Sequence, residues 1–199
     1  MANPEEAKRL YEKGIDAYRI GEYEEALDAL LRAREAYAAA GDRGGEAEVL
    51  NDAGVVSIQM EAWDDAAVYL EEALTIRQVL TDLSGQGITW GNMGMLYERQ
   101  GEEEKAVEAY EEALSIFREL GEKGNEKAIS RQLNKLKVQR GRVLEALGSY
   151  QAELEGEEEL SGPQRVARKL FQFMGRLTGS GMELEHQEIE DDEAEEDAS

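Results

Sequence analysis

Cysteine is absent from the 199-residue chain, and histidine occurs once, at His186. Disulfides, thiolate metal sites and cysteine nucleophiles are thereby excluded. The one imidazole lies among Glu183, Glu185, Glu188 and Glu190. A solvated acidic stretch of that kind has no rigid scaffold to orient ligands, so neither a metal nor a cofactor is expected. No run of residues approaches the ~18 consecutive apolar positions that a membrane span needs. Bases are scarce: 22 Lys and Arg stand against 45 Asp and Glu, a formal charge of −23. That balance argues against nucleic acid as a main partner, because phosphate binding calls for a net basic surface. Glu5 and Glu6 occupy the place where a secretory leader would carry a basic start and an apolar block, so a cytoplasmic protein is expected.

What the chain does have is enough apolar residue, 41%, for a buried core. Its charge is unevenly spread. Residues 1–142 hold 29 acids and 18 bases, 143–162 hold 6 acids and no base, 163–178 hold 4 bases and no acid, and 179–199 hold 10 acids and no base. The last block reads as a disordered acidic tail, since like charges repel and too few apolar residues offset the entropy of ordering.

Internal repetition organises the rest. Gly14, Gly54 and Gly94 are spaced by 40 residues, and the same offset joins Leu10, Leu50 and Trp90, then Ala26, Ala66 and Ala106, Leu30, Leu70 and Tyr110, and Ala33, Ala73 and Ala113. A period in the range of ~20–50 residues marks a solenoid of stacked supersecondary units. Within the third unit Ile88, Trp90, Met93, Gly94 and Tyr97 fall at helical spacing, Gly101 interrupts, and Ala106, Tyr110, Ala113, Leu114 and Phe117 resume it. Each unit is thus expected to be a helix–turn–helix, with the 94-type glycine removing a side chain where the two helices approach.

Trp90, Met93-Gly94 and Tyr97, followed by Ala106 and Tyr110, resemble the tetratricopeptide repeat. The first two units fit the same slots less fully, through Leu10, Gly14 and Ala17 and through Leu50, Gly54 and Ser57. The 40-residue period is longer than the usual ~34 and is similar to the repeats of the spindle-orientation adaptor and kinesin light-chain groups; the proline common near the end of the second helix is missing. A degraded fourth unit is expected as a cap, with Gly141, Ala146 and Tyr150 one period beyond Gly101, Ala106 and Tyr110. The resemblance implies an all-α, right-handed superhelical solenoid over 4–155. A linker at 156–162, an amphipathic basic helix at 163–178 (Val166, Leu170, Phe173, Met174 and Leu177 on one face) and the acidic tail at 179–199 would follow it.

The resemblance also implies a function. First helices of such repeats line a groove that takes protein ligands. Slot by slot, that groove would show Tyr11, Ile15 and Tyr18, then Asn51, Val55 and Ile58, then Ile88, Asn92, Met95 and Arg99, and finally Arg131, Lys135 and Gln139. The slots with which chaperone-binding members grip a C-terminal carboxylate hold Tyr11 and Ile15 here, which speaks against that ligand class. The apolar row suits an amphipathic helix, and the basic cluster Lys127, Arg131, Lys135, Lys137, Arg140 and Arg142 suits an acidic segment. The glutamate pairs Glu24-Glu25, Glu71-Glu72 and Glu111-Glu112 recur near the repeat period and read as solvent faces rather than catalytic dyads. No nucleophile–base constellation is present, so a non-enzymatic adaptor or scaffold is expected. A self-assembling subunit, associating through the helix at 163–178, is the alternative; an enzyme or metal protein ranks below both.

Overall fold

The computed structural model describes residues 4–156 and Lys169, which fall into two units, 1–140 and 141–199. The expected helix at 163–178 and the tail at 179–199, with His186, lie outside the described residues, Lys169 excepted. All described secondary structure is α-helical: α1 (Pro4–Arg19), α2 (Tyr23–Ala40), α3 (Arg43–Gln59), α4 (Trp63–Val79), α5 (Leu83–Gln100), α6 (Glu103–Leu120) and α7 (Lys123–Gly156). Consecutive helices pack on one another from α1 to α6, and α3 also meets α5. The first unit is therefore a TPR-like solenoid of stacked helical hairpins.

The turns repeat at half the period. Residues with positive φ occur at Gly21, Gly41, Glu61, Thr81, Gly101 and Gly121, one every 20 residues. In each, the chain leaves a helix through a left-handed residue, which glycine adopts freely. Glu61 (φ 58°) and Thr81 (φ 55°) do so at a cost of about 1–2 kcal/mol, borne by the packing on either side. Asp42 and Asp82 then start α3 and α5, each accepting the backbone N–H three residues on, from Gly45 and Gly85, at 2.9 Å.

The hairpin contacts are equivalent in three units. A Cβ added at Gly14 would lie 2.8 Å from Leu30 Cγ, one at Gly54 2.7 Å from Leu70 Cγ, and one at Gly94 2.5 Å from Tyr110 Cδ1. Leu30, Leu70 and Tyr110 are buried, as are Ala26, Ala66 and Ala106 beside them. The absence of a side chain on the first helix is what lets the second helix seat its large one.

Joints between hairpins are less uniform. The slot at the end of each second helix holds Tyr37, Arg77 and Phe117 in turn. Tyr37 covers Gly45 across the first joint, whereas Phe117 covers Gly87 of its own hairpin. Between them Arg77 is buried as a cation. Its Nη1 donates to Gly85 O at 2.5 Å and to Thr89 Oγ1 at 2.8 Å, and its Nε faces Asp82 at 3.9 Å. Burial lowers the Arg77 pKa, while Asp82, Asp52 and Glu48 act in the opposite sense. The first joint is tied at the surface instead, by Arg34 to Glu72 at 2.6 Å.

The fourth unit departs from expectation. A hairpin turning at Gly141 was expected, but α7 runs through that residue as one 34-residue helix, and Gly141 has no left-handed backbone. The sequence supplies a reason. The three preceding second helices open on paired acids, Glu24-Glu25, Asp64-Asp65 and Glu103-Glu104, which favour a helix N-terminus. One period on, the chain reads Gly141-Arg142-Val143-Leu144, with a base where those starts hold Glu22, Ala62 and Glu102. The first part of α7 still closes the first unit, as Leu133 and Leu136 join Ala106, Tyr110 and Leu114 in a common core.

Candidate protein-binding groove

The first helices α1, α3 and α5, with the start of α7, present corresponding residues at 40-residue steps. Two clefts open between neighbours. One, of about 230 Å³ between α1 and α3, is lined by Ile15, Tyr18, Arg19, Asp52, Val55 and Val56. The other, of about 410 Å³ between α5 and α7, is lined on its open side by Ile88, Asn92, Met95, Glu98, Arg99, Ile129, Gln132 and Lys135, with Tyr110 and Phe117 behind.

A chain of hydrogen bonds crosses the floor between them. Tyr11 Oη donates to Asp52 Oδ2 at 2.8 Å and lies 3.3 Å from Glu48 Oε1. Asn51 Nδ2 donates to Asp52 Oδ1 at 3.2 Å, and Asn92 Nδ2 donates to Asn51 Oδ1 at 3.0 Å, joining α1, α3 and α5. Burial raises the Asp52 pKa, and the bonds from Tyr11 and Asn51 oppose that shift only in part. Tyr11 is pushed well above the ordinary tyrosine range by burial and by the two carboxylates. In the other cleft Glu98 accepts from Tyr110 Oη at 2.9 Å and from Lys135 Nζ at 3.4 Å. Burial and that acceptor raise the Tyr110 pKa.

Set beside the expected groove residues, the structure sorts them. Ile15, Tyr18 and Val55 share the first cleft, and Ile88, Asn92, Met95, Arg99 and Lys135 share the second. Tyr11 and Asn51 belong to the polar floor, and Asn51 is only 5% exposed. Arg131 is exposed on α7 but lines neither cleft. Ile58 is a correction: it is 0% exposed, clustered with Ala66, Leu70, Met93 and Leu96. The same slot is half-open at Tyr18 and Glu98 and sealed at Ile58, whose apolar side chain packs into the core beside Leu70 and Met93. Asp52, Glu98, Ile129 and Gln132 also line the clefts, beyond the residues expected from sequence. Two of them were within reach, since Asp52 and Gln132 are Asn92 shifted by one period in either direction. Among the described residues no cluster of three or more His, Cys, Asp or Glu suited to a metal is found, and no helix is long and apolar enough to cross a membrane.

Compared with known families, residues 1–156 match the soluble NSF attachment protein, SNAP. The chain belongs to the SNAP family. No curated protein matches the SNAP-family chain significantly in sequence. Solved structures share its fold at low identity. A putative kinesin light chain from Podosopora anserina with nearly identical TPR-like repeats is similar at a TM-score of 0.61 and 16% identity, over 90% of this chain and 92% of that one. BtubC (BKLC) from P. vanneervenii gives 0.53 and 15%, over 80% of this chain and 68% of that one. The Rap conjugation gene regulator of plasmid pLS20, solved in complex with the Phr* peptide, gives 0.53 and 16%, over 89% of this SNAP-family chain and 53% of the regulator. The resemblance to TPR repeats of the kinesin light-chain type is thereby borne out at the level of fold.

Proposed function

We propose that the protein is a non-enzymatic adaptor that holds a helix or peptide of another protein in the groove formed by α1, α3, α5 and the start of α7. The observation that carries this reading is the pair of clefts floored by fixed polar bonds and walled by half-exposed apolar side chains, Ile15, Tyr18, Val55, Ile88 and Met95. Apolar side chains in a concave face gain by being covered, and a satisfied polar floor keeps their positions fixed. The family is named for attaching another protein, NSF, and the Rap regulator was solved with a peptide; both are in keeping with an attachment role. The test compares partners recovered by the intact chain and by Tyr18→Ala/Val55→Asp/Met95→Asp, with thermal melts to confirm that both are folded. Loss of the same partners from the variant is expected. Identical partner sets from two equally stable proteins would remove the groove from the reading.

A further inference from the structure

Resting on the groove reading above, we propose that the groove is electrically polarised and selects a bipolar amphipathic helix, with the ligand's basic end on α1 and α3 and its acidic end on α5 and α7. At the first end, Glu48 and Asp52 stand together on the groove face of α3, sharing the Tyr11 hydroxyl. No cation pairs with either within 4 Å among the described residues, since the groove-face bases of α1, Lys8 and Arg19, bond instead to Glu12 and Asp16 of their own helix. At the second end the signs reverse. Arg99, which lines the second cleft, is exposed and has no carboxylate partner within 4 Å among the described residues, and Lys135 shares Glu98 with Tyr110.

The same repeat slots carry this reversal. The slot of Asp52 becomes Asn92 and then Gln132, and the slot of Val55 becomes Met95 and then Lys135. In these two slots acidity is lost, and basicity gained, from α3 to α7, while the acid that the second cleft does hold, Glu98, accepts from Tyr110 and Lys135. The apolar side chains between the ends, Val55, Ile88 and Met95, supply attraction without direction, so the charges decide which way a ligand lies. Neighbouring helices pack at ~8–10 Å, which puts the two ends roughly 20 Å apart. A ligand helix rising 1.5 Å per residue spans that in about 13 residues.

The test uses the full chain and three fluorescent helical peptides that share one Leu/Ile/Met stripe. One carries Lys at one end and Glu at the other about 13 residues away, one carries Glu at both ends, and one carries Lys at both. At 0.15 M salt, where the Debye length is ≈8 Å and the overall negative charge is largely screened, the bipolar peptide is expected to bind about tenfold tighter than either uniform one. A photo-crosslinker at its Lys end should mark α1 and α3, and one at its Glu end α5 and α7. Glu48→Gln/Asp52→Asn should erase its advantage over the all-Glu peptide, and Arg99→Gln/Lys135→Gln its advantage over the all-Lys peptide. Equal binding of all three, weakened alike by Val55→Asp/Met95→Asp, would overturn the polarity and leave the groove. Tightest binding of the all-Lys peptide would also overturn it, by reducing the effect to attraction by net charge. Binding of none, or binding untouched by Val55→Asp/Met95→Asp, would overturn the groove reading and the polarity with it.

Discussion

On the face that each first helix turns toward its hairpin partner, residues one period apart are alike: Gly14, Gly54 and Gly94, facing Leu30, Leu70 and Tyr110. On the groove face of the same helices they differ: Ile15, Val55, Met95 and Lys135 share one slot, and Glu12, Asp52, Asn92 and Gln132 another. The two faces answer to different constraints. A hairpin interface recurs as the same steric problem, so the same solution recurs. On the proposed function, the groove meets one ligand along its length, and each slot faces a different part of it. Repetition within this chain therefore marks what holds the fold, and its breakdown marks the candidate site.

The contrast is tested most strongly by truncating one large side chain on each face. Leu70 is fully buried against Gly54, so Leu70→Ala should cost about 2–5 kcal/mol in urea unfolding, through lost transfer energy and the cavity left behind. Val55 is half-exposed in its cleft, and Val55→Ala should cost under ~1 kcal/mol while weakening ligand binding. Equal losses would mean that the groove face is a packing face as well. A smaller effect is expected at the glycines. Gly94→Ala would place a methyl 2.5 Å from the Tyr110 ring, which is itself fixed by its bond to Glu98, at a cost of about 1–3 kcal/mol. Gly124, with nothing within 4 Å, is the control, and Gly124→Ala should stabilise by about 0.5–1 kcal/mol.

Smaller again, and of opposite sign at two residues one period apart, is the effect of alanine at Gly101 and Gly141. Gly101 ends α5 at φ 77°, where a Cβ is strained, so Gly101→Ala should destabilise by about 1 kcal/mol. Gly141 lies inside α7, where alanine is the better helix former, so Gly141→Ala should stabilise by about 0.5–1 kcal/mol. Destabilisation at both would mean that the chain turns at Gly141 in solution.

Much of this was legible in the sequence because three copies of one hairpin gave three readings of each interface. The 40-residue step located the Gly14, Gly54 and Gly94 contacts and the helix boundaries near Gly21 and Gly101. The fourth unit misled because the period carried Gly141 into a turn slot without the acidic helix start that accompanies the others. Groove slots were harder. Ile58, Tyr18 and Glu98 occupy the same slot, yet Ile58 is sealed and the other two are half-open, because exposure is set by what packs around a position and is not written in the repeat itself. Arg77 was invisible for a related reason: nothing in an isolated arginine tells that Gly85 O and Thr89 Oγ1 will surround it.

The subtlest test concerns Asp52, a groove carboxylate whose pKa is raised chiefly by burial. A folded-state pKa above the unfolded value means that the folded protein holds the proton more tightly. Stability from this group is therefore lost as pH rises through the folded pKa, and the penalty vanishes below the ordinary value of 3.8, where both states are protonated. Asp52→Asn removes the penalty and can keep the bonding: the amide oxygen accepts from Asn51, and the amide nitrogen donates to Tyr11 Oη, leaving the hydroxyl proton for Glu48. The variant should melt slightly higher than the parent at pH 7, with the difference fading as pH falls toward 4. It should also bind the basic end of a ligand less well. A residue on the hairpin face has no such trade to make, since removing Leu70 or crowding Gly94 harms the fold at every pH. If Asp52→Asn melts lower at pH 7, the carboxylate is a structural member of the floor, and the distinction between the two faces fails at this slot.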